Sequence, residues 1–199
     1  TMDKTYNKLI EAGIQLFGDY GFDAVSVRDI VKGSGANLSA VSYHFGGKSE
    51  LYKAVIEYLT QEVKDQLIAF DAGTFVTLSL DKMEIRLREI IFEFHQLFTS
   101  ANGASRLNIF TRETASPDKN LSHQYFLDMV GCVRECFTKI LSAYYQKRNE
   151  PIDKVNFVII LLLSMLKNTS QNHCIELIPQ DERDDILTRL VDLIIYSKL

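Results

Sequence analysis

Between Ser26 and Lys48 the chain repeats one short pattern twice: a strong helix-capping residue, a short helix-compatible run, then glycine. Ser26 can accept from a free backbone N–H, and Asp29, three residues on, completes a capping box. Val27, Ile30 and Val31 form the buried side of this segment, and Gly33-Ser34-Gly35 ends it. Asn37 then opens a second short helix, from Leu38 to about His44, which Phe45-Gly46-Gly47 breaks. This is the layout of a helix-turn-helix, whose second helix enters the major groove of DNA. Two short helices around a glycine turn also occur in proteins that bind no DNA, so the residue types have to sharpen the reading.

The flanking sequence is helical in pattern. Leu9, Ala12, Ile14, Leu16 and Phe17, with Tyr6 and Gly13, give a helical apolar face from about Asp3 to Tyr20. Gly21 stops it, and Phe22 folds back onto the core. Lys48 starts a long helix carrying Leu51, Tyr52, Val55, Ile56, Leu59 and Val63. Residues 71–80 are weakly patterned and read as a link. Beyond them lie strong helical segments at about Asp81–Ser100, Asn120–Lys147, Asp153–Asn172 and Asp181–Lys198, with a shorter one at Ala104–Thr114. With only 3 Pro and 10 Gly, the turn signals of an all-β chain are missing. The expectation is an all-α protein with a three-helix N-terminal head and a larger helical-bundle domain for ligand binding and dimerisation. The head spans residues 1–47, a connecting helix 48–70, and the C-terminal domain 71–199.

Several function classes are disfavoured. Net charge is −4, and within the first 48 residues Lys4, Lys8, Arg28, Lys32 and Lys48 are balanced by Asp3, Glu11, Asp19, Asp23 and Asp29. A DNA contact must therefore rest on local placement rather than bulk charge. Three Cys residues, with Cys132 and Cys136 one turn apart, make no disulfide framework and no metal-ligand spacing, and they read as core or pocket-lining thiols. That thiol usage, with no signal-peptide pattern at the start, suits a cytoplasmic location. Val155–Leu166 is too short for a membrane span and is interrupted by Asn156 and Ser164. No metal, no cofactor and no membrane partner are expected. No GxSxG, HExxH or P-loop is present, so an enzyme such as a small-molecule hydrolase is the weakest alternative. A fold-retaining interaction module without operator binding is the other.

In the second short helix Ser39, Ala40 and Ser42 are small enough for a groove edge to approach. Asn37, Ser39 and Ser42 offer hydrogen bonds, and Leu38 suits a thymine methyl. Tyr43, His44 and Lys48 cluster at the far end, where phosphates would pass.

The run Gly21-Phe22, Ser26-Val27-Arg28-Asp29-Ile30-Val31, Gly35-Ala36-Asn37 and Val41-Ser42-Tyr43-His44-Phe45-Gly46-Gly47-Lys48-Ser49-Glu50-Leu51-Tyr52 resembles the N-terminal domain of TetR/AcrR-type transcriptional regulators. Arg112-Glu113-Thr114-Ala115-Ser116-Pro117 looks like a motif of the CecR-like branch. The resemblance covers roughly the first 60 residues. It implies a repressor that binds a palindromic operator in double-stranded DNA as a homodimer. It also implies that Ser26 and Arg28 flank the DNA backbone, that Asn37, Leu38, Ser39 and Ala40 face bases, and that Tyr43, His44 and Lys48 hold phosphates.

The remaining expectations concern the body. A mostly apolar effector site is expected among Phe94, His95, Phe98, Phe110, Arg112, Tyr125, Met129, Cys132, Met165 and Asn168. Val155–Leu166 is apolar nearly all round and needs cover on several sides. With Ile186 and the residues after it, this run suits a four-helix dimer seam of Phe157, Leu161, Leu162, Met165, Leu190, Leu193 and Ile194. The long helix from Lys48 is expected to carry the effector's signal to the head.

Overall fold

The computed structural model describes residues 4–99, 103–115, 121–171, 185, 188–189 and 191–195. Among these, regular structure is helical: α1 (Lys4–Tyr20), α2 (Val27–Ser34), α3 (Leu38–Phe45), α4 (Lys48–Ala69), α5 (Ala72–Phe75), α6 (Leu80–Thr99), α7 (Gly103–Ala115), α8 (Leu121–Lys147) and α9 (Val155–Gln171). Residues 191–195 are helical too. The all-α expectation holds. By its contacts the chain falls into two compact units, residues 1–64 with 100–130, and residues 65–99 with 131–199.

In the first unit, local chemistry sets the element boundaries. Ser26 caps α2 and closes the capping box with Asp29; Asn37 caps α3. Both helices end at a glycine in the left-handed region, Gly35 (φ 66°) and Gly46 (φ 79°), where a side chain would be strained. Leu9, Ile10, Ile14 and Phe17 of α1 are buried with Ile30, Val41, Leu51 and Val55. Val27 and Val31 are only half-buried, so Ile30 alone anchors α2 in this core.

The same unit holds α7 tightly against the end of α1. A Cβ at Gly18 would lie 2.4 Å from the carbonyl oxygen of Ser105, so only glycine permits this approach. Arg112 Nη1 donates to the carbonyls of Phe17 (2.7 Å) and Gly18 (2.5 Å), and Ser105 Oγ donates to Asp19 Oδ1 at 2.7 Å. A guanidinium at the carbonyl end of a helix adds donors to the terminal acceptors and meets the negative end of the helix dipole.

The second unit relies more on burial than on caps. Phe94 packs edge-on against Phe70, Phe98 and Phe137. The stretch expected as an unpatterned link contains α5, capped by Asp71, and buries Phe75. Its four residues are too few to show a period, which hid it. Buried Tyr144 donates to Glu84 Oε1 at 3.1 Å and accepts from Arg148 Nη1 at 2.7 Å; Arg148 also donates to the carbonyl of Ile195. Burial is the main cause that pushes the Tyr144 phenol up to about 12. Arg88 pairs with Asp192 at 2.5 Å.

Two seam expectations are corrected here. Leu162 (7% exposed) and Ile194 (1%) face the core of their own chain. Among the described side chains, α9 presents Phe157, Ile160 (63%) and Leu163 outward, and Leu193 is also exposed. Leu161 is half-buried. A run that is apolar nearly all round gives little hint of which side its own chain covers. The calls on Leu190, and on the side chains of Met165 and Asn168, lie outside the described residues.

Candidate nucleic-acid interface

Seven residues from Asn37 to His44 were singled out as contacts, and α3 fixes where each points. Val41 turns inward and is buried, which presents the opposite side of the helix outward. Tyr43 is 84% exposed and Leu38 55%. Ser39 and Ser42 are exposed, and Ala40 is half-buried. His44 is half-buried beside Tyr6 and Tyr43, with ring centroids 6.1 and 5.0 Å away. Phe45 is half-buried and stacks on Tyr6 at 4.9 Å.

The polar groups at the helix starts are already engaged. Asn37 Oδ1 accepts from Ala40 N at 2.8 Å and from Ser39 Oγ at 2.7 Å. Ser26 Oγ donates to Asp29 Oδ2 at 2.5 Å, while Ser26 N donates to the same oxygen at 2.9 Å. These two bonds, side chain first, hold the Asp29 carboxyl below its ordinary range. Arg28 is exposed on α2. Lys48 Nζ lies 4.2 Å from the centroid of the Phe22 ring, a cation–π contact that fixes the ammonium at the start of α4. Phe22 itself stacks with Phe17 and meets Tyr52 edge-on, the expected return to the core.

The expected effector residues are placed variously. Phe94 and Phe98 are buried in the second unit. His95 is half-buried there, and desolvation lowers its pKa. In the first unit Phe110 is buried against Phe126, Met129 is buried and Tyr125 is half-buried. Arg112 is committed to the carbonyls at the end of α1. Cys132 is exposed, which corrects its reading as a core or pocket-lining thiol. Cys136 is half-buried and its thiol, pushed up by burial, reaches the carbonyl of Leu67 at 3.9 Å. Two open grooves are described. One of about 520 Å³ is lined by Val76, Lys139, Ser142, Ala143, Gln146 and Lys147, and one of about 210 Å³ by residues of α1 and α2. Neither involves the residues named for the effector.

One arrangement was missed. Tyr52 of α4 donates to Glu113 Oε1 at 2.7 Å, and Glu113 is buried on α7. His123 Nδ1 of α8 lies 3.1 Å from the carbonyl oxygen of Glu113 and 3.9 Å from its carboxylate. Burial and then the bond to Glu113 drive the Tyr52 phenol far above its ordinary value. The signal was legible: Glu113 lies four residues after Ile109 and three after Phe110, on the buried side of α7, where a carboxylate needs a partner.

Residues 9–55 match the family model described as bacterial regulatory proteins, tetR family. The HTH-type transcriptional dual regulator CecR of Shigella flexneri is 33% identical over 64 residues, 32% of this chain and 28% of that protein. The chain thus matches less than a third of that relative's length. The biofilm operon icaADBC HTH-type negative transcriptional regulator IcaR of Staphylococcus epidermidis is 22% identical over 79% of this chain and 78% of its own. Among solved structures, the transcriptional regulator FadR from Bacillus subtilis in complex with stearoyl-CoA superposes with a TM-score of 0.66 at 12% identity, covering 96% of this chain and 98% of that one.

Proposed function

We propose that this chain, whose residues 9–55 match the model of the tetR family of bacterial regulatory proteins, is a ligand-responsive transcriptional repressor that binds a palindromic operator as a homodimer. The observation that carries the reading is the outward side of α3. A short helix capped at both ends and anchored by Val41 presents Leu38, Ser39, Ser42 and Tyr43 to solvent. That is the form of a recognition helix. Tyr43, His44, Lys48, Ser26 and Arg28 are assigned to the DNA backbone. The sign of regulation follows the negative regulator IcaR.

A small, mostly apolar effector is proposed; in the stearoyl-CoA complex of the B. subtilis FadR, only the acyl chain of the bound molecule has that character. The first unit supplies two routes by which its signal reaches the head. One is α4, as expected from sequence. The other is α7, which grips the end of α1 through Arg112 and Ser105 and meets α4 through Glu113. The dimer seam is assigned to exposed Phe157, Ile160, Leu163 and Leu193, with half-buried Leu161 beside them. The proposed location is the cytoplasm, and no described helix is long and apolar enough to cross a membrane.

The test is selection of bound duplexes from a random pool with the intact protein, followed by competition with candidate apolar ligands. A two-fold symmetric consensus released by a ligand is expected. A pool that yields no consensus, with binding that fades uniformly with salt, would favour an interaction module without an operator.

A further inference from the structure

The outward side of α3 offers fewer polar readers than its composition suggests. An asparagine recognises adenine by accepting from N6 while donating to N7. Asn37 Oδ1 already accepts from Ala40 N and Ser39 Oγ, so both of its lone pairs serve the helix start and only its N–H groups remain to donate. Ser39 has given its one hydroxyl proton to Asn37 and can offer a base only acceptance. The helix contains no Arg, Lys, Gln, Asp or Glu, the side chains that make the remaining strong contacts to guanine, adenine and cytosine edges.

What projects instead is Leu38, the first residue of α3, more than half in water. An isobutyl group there gains nothing from the solvent. In a major groove it meets one apolar group on the base edges, the 5-methyl of thymine. Ser39 and Ser42, beside it and one turn on, are small and exposed, and leave room for a base edge to come up to it.

Building on the DNA-binding reading above, we infer that Leu38 is the principal specificity-determining residue of α3. It selects a thymine in the half-site through the 5-methyl group, and Asn37 serves as a helix cap rather than as a base reader.

The test uses the intact protein and the duplex it selects most strongly from a random pool. In copies of that duplex each thymine is replaced in turn by deoxyuridine, which deletes only the methyl. One replacement in a half-site should weaken wild-type binding about fourfold, the transfer value of one methyl-sized group. Leu38→Ala should bind the thymine and deoxyuridine forms equally. This variant folds, because Leu38 is exposed and alanine favours the helix. Asn37→Ser keeps a capping oxygen and should keep the ranking of duplexes. The inference is overturned if no replacement costs more than about twofold, or if the loss persists in Leu38→Ala. It is also overturned if Asn37→Ser loses an adenine preference of about tenfold or more. In each of those outcomes a duplex is still bound specifically, so the DNA-binding reading survives. A protein that selects no duplex overturns both.

Discussion

The head and the second unit use opposite means to fix a helix. Around α2 and α3, Ser26, Asn37, Gly35 and Gly46 decide where each helix starts and stops. Once Ile30 and Val41 are buried, the outward residues follow. In the second unit the first part of α9, residues 155–166, is apolar nearly all round, and long-range packing decides what is covered. Leu162 and Ile194 are inside, while Ile160 and Leu193 are out. Where side chains cap an element, a few local residues reveal both its bounds and its free face. Where burial alone holds it, the pattern reveals that cover exists but not who supplies it.

The sharpest way to break this comparison is charge placed on the covered or the open side of α9 and of residues 191–195. Leu162→Glu or Ile194→Glu puts an unpaired carboxylate in a closed core and should cost about 3–5 kcal/mol, visible as a loss of folded monomer in thermal unfolding. Ile160→Glu should leave the fold intact and shift the mass in solution from dimer to monomer. If Leu162→Glu gave a stable monomer instead, the assignment of the two sides would be reversed.

The next effect concerns the grip of α7 on α1. Gly18→Ala drives a methyl into the backbone of Ser105 and should destabilise by about 1–3 kcal/mol, although alanine is the better helix former. Denaturant unfolding measures it, and a neutral or stabilising result would mean that α7 is not closely seated there. Tyr52→Phe should cost about 1–3 kcal/mol in the same assay, because buried Glu113 loses its donor.

In the head the effects are smaller and local. Asn37→Ala removes the cap of α3 and should cost about 1 kcal/mol, with Asn37→Ser recovering most of it. The capping box of α2 adds a pH dependence. Asp29 has a lowered pKa in the fold, so its contribution is present above the unfolded carboxylate value and is lost as pH falls below about 3.8. Ser26→Ala should therefore flatten the acid limb of the stability curve. An unchanged limb would remove the box from the account.

Legibility followed the same division. The bounds of α1 to α4 were readable to within a residue or so, because caps and glycines are written locally. The long helices α6, α8 and α9 were readable from their period, but α5 was not; the expected helix Asp181–Lys198 lies mostly outside the described residues. Among the contact residues, Leu38 and Tyr43 were found on the exposed side as expected. The state of Asn37, engaged at Oδ1 by Ser39 and Ala40, depends on rotamers that no spacing encodes. The bonds of Arg112 to the end of α1 were hidden for a related reason. A cation at the edge of an apolar stripe looks the same whether it faces a ligand or the carbonyl end of another helix ninety-odd residues away.

The most direct test of the central claim is a binding titration of the intact protein at about 0.15 M salt. It compares the duplex selected from a random pool with a scrambled duplex of the same length and composition. The account predicts a preference of about a thousandfold or more for the selected duplex, with two protomers bound to it. Equal affinity for the two duplexes would contradict it.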